Sequence, residues 1–282
     1  MSDKELGNKQ TGFAGSDKFG LMREPIYGII VVTLFALGIV LLPGEDLGSL
    51  FLGGGGTNAR NLGNAIFRFS GFALLTLLAV NMGVRIFSFK TGAKGFLLAL
   101  PFALVAANNA PFAGLATGEI SVNASGLGWF LFALNCVSVG LFEELVFRGI
   151  IFPLVLAKTK NDRKGVFLAV VISSAVFGAI HLVNLFSSNP LAVLCQVGYS
   201  FLVGAMCAMV MLLCRNVFAC ALLHAGYNFA GLAADTLGTG TVWNAFSIAL
   251  TVCVSLAAAG YWAYLMLRQV KAEDIKPKLI RL

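Results

Sequence analysis

Long apolar runs, each close to 20 residues, recur along the chain and are separated by short polar segments. A helix needs about 20 apolar residues to cross the hydrocarbon core of a bilayer, whereas the strands of a membrane barrel alternate apolar and polar positions. The pattern therefore predicts an all-α polytopic membrane protein with eight transmembrane helices. The predicted spans are Ile26–Leu42, Phe67–Phe87, Gly95–Ala107, Trp129–Ile151, Val166–Phe186, Leu191–Leu213, Val217–Ala234 and Val242–Leu267.

The composition agrees with this pattern. Hydrophobic residues make up 58% of the chain and charged residues 12%, against about 25% charged in an average globular domain. A disordered chain and a small disulfide-stapled domain are excluded. The six cysteines lie in or beside apolar runs and are interpreted as small hydrophobic residues. The polar N-terminus lacks the apolar centre of a cleavable signal peptide, so the first span is expected to act as the signal.

Basic residues are distributed unevenly between the two sides of the predicted bundle. With eight spans, 17 of the 20 lysines and arginines fall in tails or connections on one side. The opposite side has Arg60 and, at the edge of the second span, Arg68. Cytoplasmic loops carry such an excess of basic residues, so both termini are predicted to be cytoplasmic. The net charge of +7 then needs no nucleic-acid partner. The basic set is Lys4, Lys9, Lys18, Arg23, Arg85, Lys90, Lys94, Lys158, Lys160, Arg163, Lys164, Arg215, Arg268, Lys271, Lys276, Lys278 and Arg281.

Ionisable side chains inside the predicted spans are few and are concentrated in three of them. Each costs at least about 2.5 kcal/mol in a bilayer, so such residues are functional candidates. The candidates are Glu143, Glu144 and Arg148 in the fourth span, His181 in the fifth and His224 in the seventh, with Asn228 one turn further on.

Spacing suggests a role for each member of this set. Glu144 and Arg148 are four residues apart and are predicted to form an ion pair. Glu143 points about 100° away around the helix and has no partner on it, which makes it the candidate general base.

Two further pairs share a helix face. His224 and Asn228 can donate hydrogen bonds to one atom, and Phe177 can cover one side of His181. Each feature alone has a simpler explanation, such as a buried core histidine or a Glu–Arg pair that joins helices. Together they match the general base and oxyanion donors of a hydrolase. A transporter that uses the same groups remains the alternative at this point.

Three short motifs then point to a family. Residues Glu143–Gly149 (EELVFRG) resemble the EExxxR motif of the CAAX protease and bacteriocin-processing family, also called the abortive-infection family. Its FxxxH motif resembles Phe177–His181, and its HxxxN motif resembles His224–Asn228, in the same order along the chain. The resemblance covers about residues 129–232 and implies an eight-helix intramembrane endopeptidase.

The resemblance also implies roles for the motif residues. Glu143 and His181 would hold and activate a water molecule, with Glu144 among the catalytic residues. His224 and Asn228 would stabilise the oxyanion of the tetrahedral intermediate. Arg148 and Phe177 would support the site.

A zinc site is the alternative to this metal-free mechanism. Glu143, His181 and His224 could form a His₂Glu ligand set with an open position. The HExxH pattern is absent, however, and the sequence identifies no acceptors that would orient the two histidines. We therefore expect no cofactor.

The overall prediction is a multi-pass protease of a prokaryotic plasma membrane that acts on a peptide or membrane-anchored protein reaching it from the cytoplasmic side. The lipid bilayer is the other expected partner. The chain divides into a cytoplasmic tail (1–25), three helices with loops (26–128), the catalytic core (129–232), and a last helix with a basic cytoplasmic tail (233–282). A non-enzymatic immunity or scaffold protein and a small proton-coupled transporter are the rival functions.

Helix geometry leaves one disagreement in this picture. At 1.5 Å per residue, Glu143 and His224 both fall in the inner third of the bilayer. His181 lies about 22 Å along the fifth span and falls too near the outside. Either the fifth helix begins in the cytoplasm or it is displaced along the bundle axis.

Overall fold

The computed structural model of the protein describes residues 20–88, 93–240 and 245–280, and in these the chain is almost entirely helical. The α-helices are α1 (Pro25–Val40), α2 (Gly44–Leu52), α3 (Thr57–Asn81), α4 (Ala93–Ala99), α5 (Phe102–Asn108), α6 (Phe112–Thr117), α7 (Gly126–Glu144), α8 (Phe152–Lys158), α9 (Arg163–Ile180), α10 (Pro190–Cys214), α11 (Val217–Leu237), α12 (Ala245–Arg268) and α13 (Ile275–Leu279). A π-helical turn (Leu145–Ile151) joins α7 to α8, and 3₁₀ turns cover His181–Phe186 and Ala272–Asp274. Two short strands, β1 (Ser121–Val122) and β2 (Gly238–Thr239), pair antiparallel.

Polar residues in the connections fix where the long helices begin. The side chains of Ser125, Asp162 and Asn216 accept hydrogen bonds from the first backbone N–H groups of α7, α9 and α11. These N–H groups have no partner within the helix, so the caps stabilise each helix start. Proline opens α1 and α10, where its missing N–H costs no hydrogen bond.

Six helices in the described residues are long and apolar enough to cross a membrane: Thr57–Asn81, Gly126–Lys158, Arg163–Phe186, Pro190–Cys214, Val217–Leu237 and Ala245–Arg268. They coincide with six of the eight predicted spans, and the chain is an all-α multi-pass membrane protein. The start of the predicted eighth span falls at 242–244, outside the described residues.

The first and third predicted spans are shorter or broken. Helices α1 and α2 meet at a bend of 44° and together reach the length and apolarity of one span. The third predicted span corresponds to α4 and α5, which form a shorter apolar stretch over Ala93–Asn108. The total of eight spans stays a prediction.

The fourth predicted span was placed too short at its C-terminal end. The helix continues through the π turn and α8, so that Gly126–Lys158 is one stretch of 33 residues, about 50 Å long. Every residue from Glu144 to Leu156 is buried, which makes this stretch the centre of the molecule. The sequence placed the end at Ile151 because a bilayer needs only about 20 residues.

The extension of this helix changes the comparison of Glu143 with His181. Helix α9 begins at Arg163, just after α8 ends at Lys158, so the two helices form a hairpin. Along these helices Glu143 is about 22 Å from Lys158, and His181 is about 27 Å from Arg163. The two residues therefore lie at similar heights in the bundle, and the depth of the fifth helix in the bilayer stays a prediction.

Helix α3 begins ten residues before the predicted second span, at Thr57 rather than Phe67. Its first half is rich in asparagine and glycine, and the sequence alone indicated a loop there. In the structure Ala59, Asn61 and Gly63 are buried. Arg68, which the sequence placed at the edge of the second span, therefore lies in the middle of a helix.

The C-terminal segment is a packed part of the fold and not a free basic tail. Ile275, Leu279 and Ile280 are buried, and the carbonyl of Leu279 accepts a hydrogen bond of 2.7 Å from the backbone N–H of Arg85. The ammonium group of Lys276 donates to the carbonyl of Ala157 at 3.2 Å and to that of Thr159. A cation is favourable there because the last carbonyls of a helix carry partial negative charge.

Candidate active site

A cavity of about 440 Å³ lies between α7, α9, α10 and α11. Five of the residues predicted from the motifs line it: Glu143, Phe177, His181, His224 and Asn228. These five come from three separate helices, so the fold brings all three motifs to one place. The remaining two, Glu144 and Arg148, lie behind the cavity wall with fully buried side chains.

Helices α7 and α11 approach each other closely beside this cavity. At Gly140 a Cβ atom would lie only 2.5 Å from the carbonyl oxygen of Ala221, so glycine is required at this crossing. Gly140 is one turn before Glu144, and Ala221 is three residues before His224. The close contact therefore brings the acidic pair of α7 within reach of the imidazole on α11.

Glu144 connects two motifs through a single carboxylate oxygen. Its Oε1 accepts a hydrogen bond from Nη1 of Arg148 at 3.1 Å and lies 2.8 Å from Nδ1 of His224. The predicted ion pair is present, and it also holds a histidine that the sequence did not connect to it. Glu144 was predicted among the catalytic residues; in the structure it does not line the cavity and holds His224 from behind.

Arg148 lies in the π-helical turn, where the helix widens locally. Such turns are frequent at functional sites. The guanidinium carbon is 4.7 Å from the centre of the Phe177 ring, and a Cβ at Gly204 would come within 3.0 Å of Nη2. The guanidinium of Arg148 is thus enclosed by the Phe177 ring and by Gly204 on α10, and it is not exposed to water.

Each of the two histidines has a partner for Nδ1, which leaves Nε2 for contacts in the cavity. His224 directs Nε2 towards Glu143, with Oε2 at 3.9 Å, which is too long for a hydrogen bond. His181 lies 2.9 Å from the carbonyl oxygen of Phe177 through Nδ1, so Nδ1 carries the proton and Nε2 is an acceptor. The sequence identified no acceptors that would orient the histidines; in the structure the carbonyl oxygen of Phe177 and the carboxylate of Glu144 have this position.

Phe177 lies between the two imidazoles. Its ring centre is 5.3 Å from that of His181 and 5.6 Å from that of His224, both in edge-to-face geometry. One ring therefore separates the two histidines and also covers the guanidinium of Arg148. The FxxxH motif fixes this arrangement, because residues four apart lie on one helix face.

The zinc alternative requires three ligand side chains that converge on one point. Among the residues that the structure describes, no three His, Cys, Asp or Glu side chains converge closely enough to hold a metal ion. This includes Glu143, His181 and His224, the ligands of the zinc alternative.

Several polar residues of the cavity were not identified from the sequence. Arg68 on α3 and Asn135 on α7 line it, and Nη1 of Arg68 donates to Oδ1 of Asn135 at 2.8 Å. Asn109 reaches in from the turn after α5, where its amide donates to the carbonyl of Tyr227 at 2.9 Å. Arg68 could have been identified from the sequence, since it is a charged residue beside an apolar run. A single asparagine gives no such signal.

The cavity extends from Glu143 towards one end of the bundle only. Its wall includes Val40 at the end of α1, Asn184 just after α9, and Asp235 near the end of α11. The residues after Glu144 and the C-terminal segment, which lie towards the opposite end, are buried. If the termini are cytoplasmic, as predicted, this end of the cavity lies away from the cytoplasm, which does not agree with the predicted access from the cytoplasmic side.

Comparison with known families agrees with the three motifs. Residues 125–230 match the family model described as type II CAAX prenyl endopeptidase Rce1-like. This segment belongs to the CAAX protease and bacteriocin-processing family. The CAAX protease segment contains Glu143, His181, His224 and Asn228, and excludes Arg68 and Asn109.

Searches of curated proteins and of solved structures gave no match for the chain. The family match over residues 125–230 indicates an endopeptidase embedded in the membrane.

Proposed function

We propose that the protein hydrolyses a peptide bond of a membrane-associated peptide or protein, with a water molecule activated by Glu143 and without a metal ion. The observation that carries the proposal is the meeting of Glu143, His181, His224 and Asn228 in one cavity inside a CAAX protease segment. A carboxylate, two imidazoles and an amide supply a base, a water ligand and oxyanion donors.

In the proposed first step, water is held by Nε2 of His181 and gives a proton to the carboxylate of Glu143. The water oxygen forms a bond to the carbonyl carbon of the scissile peptide, and the carbonyl oxygen becomes an oxyanion. The carbon–nitrogen bond then breaks, and the proton on Glu143 passes to the leaving amine. Such general acid–base transfer contributes typically 10²–10⁴-fold to a rate.

Asn228 and His224 are proposed to bind the oxyanion. The amide of Asn228 is a donor in any protonation state. His224 donates through Nε2 only as an imidazolium, because the proton of the neutral ring is on Nδ1, next to Glu144. The Glu144 carboxylate stabilises that imidazolium, and Arg148 balances the charge of Glu144 when the imidazole is neutral.

Substrate access is proposed from the side of the membrane opposite to the chain's basic connections. The basic connections favour cytoplasmic placement for the bundle end that holds Lys158, Arg215 and the C-terminal segment. The cavity opens at the other end, near Asp235, which is exposed. The prokaryotic plasma membrane stays a prediction.

The proposal is tested with purified protein in detergent and short lipid-anchored peptides, in water enriched in ¹⁸O. Hydrolysis incorporates one ¹⁸O atom into each new carboxylate, which mass spectrometry detects. We expect labelled products, and we expect a chelator to leave the rate unchanged. Loss of cleavage on chelation, restored by zinc, would contradict the metal-free mechanism. Absence of any labelled product would contradict the endopeptidase function.

A further inference from the structure

Arg68 is a charged residue of the cavity that the catalytic mechanism does not use. It lies in the middle of α3, a helix outside the segment that matches the family model. Within the membrane-spanning bundle a cation is costly, and such residues normally pair with an acid or mark the path of a substrate. The other buried arginine, Arg148, has its acid in Glu144.

Arg68 has no acid in direct contact, although the charge of Glu143 acts on it across the cavity. In the described residues, no carboxylate oxygen lies within 4.0 Å of its guanidinium. Its one hydrogen bond is to the neutral amide oxygen of Asn135, and its Nε is buried without a partner. A guanidinium has five N–H donors, so most of the binding capacity of Arg68 is unused.

The guanidinium is held in place from behind. The amide of Asn135 accepts from Arg68 and donates to Oδ1 of Asn61 at 3.1 Å, which fixes the orientation of both amides. Asn61 is itself buried. A charged group held by a chain of neutral amides, with its remaining donors in a cavity, is suited to bind an anion.

The spacing between Asn135, which holds Arg68, and Glu143 corresponds to a few residues of an extended substrate peptide. Asn135 precedes Glu143 by eight residues on α7, about 12 Å along the helix axis. An extended peptide covers about 3.3–3.6 Å per residue, so a carboxylate at Arg68 belongs to a residue no more than about three positions from the scissile bond.

We propose that Arg68 is a specificity-determining residue that binds a carboxylate of the substrate close to the scissile bond. This rests on the proposed peptidase function. The carboxylate is either the C-terminus of the peptide or an acidic side chain. Both have the planar geometry that a guanidinium binds through two parallel hydrogen bonds.

The test uses lipid-anchored peptides in three forms: with a free C-terminal carboxylate, with a C-terminal amide, and with the acidic side chains replaced by their amides. Cleavage products are measured by mass spectrometry. Loss of the bound carboxylate should lower kcat/KM about tenfold to a hundredfold, since hydrogen bonds to charged groups contribute that much. The form that loses activity identifies the source of the carboxylate. Equal kcat/KM for all three forms would overturn the proposal, while absence of cleavage in all of them would contradict the peptidase function instead.

Arg68→Gln provides the second measurement. If Arg68 binds the carboxylate, the ratio of kcat/KM between the acid and amide forms should fall towards one in this variant, mainly through KM. If Arg68 only acts on the charge of Glu143, both forms should lose activity equally and the ratio should persist, which would overturn the proposal.

Arg60→Gln is the matched control, because Arg60 lies on the same helix but is exposed and paired with Glu45 at 2.6 Å. It should keep the wild-type ratio. If Arg68→Gln does not fold, Arg68→Lys replaces it, because lysine keeps the charge but loses the paired donors. The acid-to-amide ratio should fall in that variant as well, and an unchanged ratio would overturn the proposal.

Discussion

At the scale of single residues, the arrangement of the candidate site depends most on Glu144. One oxygen of this carboxylate is bonded to Arg148 and to His224, and so joins the first motif to the third. All three side chains are almost completely buried. In such an environment a charge without its partner is costly, so the three residues act as a unit.

Arg148→Ala should therefore reduce both the folded yield and the activity. Removing one partner of a buried ion pair typically costs about 3–5 kcal/mol, because the remaining charge is uncompensated. The measurement is the amount of monodisperse protein after purification, with kcat on a cleaved peptide. Arg148→Ala with Glu144→Gln should recover part of the yield but not the activity. Wild-type yield and rate in Arg148→Ala would show that the pair has no such role.

The motif residues could be predicted from the sequence, because buried ionisable groups are rare in so apolar a chain. The contact between Glu144 and His224 could not, since it depends on how α7 and α11 cross. Arg68 was placed at the edge of a connection because the polar first half of α3 indicates a loop. The Arg68 side chain is half-buried because α3 packs against α7. A pattern read along one helix does not predict such a contact between two helices.

At the scale of helices, the close crossing of α7 and α11 determines the distance between Glu143 and His224. Gly140 allows this crossing because it has no side chain. Residues one turn away on both helices carry the reacting groups, so a change of about 1 Å in the crossing displaces them directly. Positioning errors of that size can cost about 10²-fold in rate.

Gly140→Ala should consequently lower the activity by about 10²-fold or more and reduce the melting temperature, since the added Cβ would lie 2.5 Å from a backbone carbonyl. The matched control is Gly198→Ala in α10, where a Cβ would meet nothing within 4 Å. That variant should be as active as the wild type and at least as stable, because alanine is the better helix former. Similar losses in both variants would contradict this role of the crossing.

The positions of the long helices could be predicted well, and their ends less well. Apolar runs identify a stretch that matches the thickness of a bilayer, but the helix of α7 continues through α8 to Lys158 and forms a hairpin with α9. Helices α8 and α9 are stabilised by packing against each other and against the C-terminal segment. The similar heights of Glu143 and His181 in the bundle followed only once this extension was known.

At the scale of the whole molecule, the orientation in the membrane decides which compartment supplies the substrate. The cavity opens at the end opposite to Lys158 and the C-terminal segment. Most basic residues of the connections lie at the closed end, which the charge distribution places in the cytoplasm. Together these two observations predict a cavity open to the non-cytoplasmic side.

Thiol labelling in intact cells tests this orientation. Asp235→Cys at the cavity opening should react with a membrane-impermeant maleimide, whereas Lys158→Cys should react only after the cells are permeabilised. The unmodified protein, with its six native cysteines, sets the background. The reverse pattern would show that the chain is inverted and that substrate reaches the cavity from the cytoplasm.

The central claim is that Glu143 activates the water molecule that hydrolyses the peptide. Glu143→Gln keeps the shape of the side chain and removes the base, so the protein should fold normally while kcat falls at least about 10²–10⁴-fold. The control is Glu119→Gln, the same change at an exposed position outside the cavity, which should retain the wild-type rate. Cleavage of the lipid-anchored peptide by purified Glu143→Gln at the wild-type rate would contradict the account and favour a non-enzymatic scaffold.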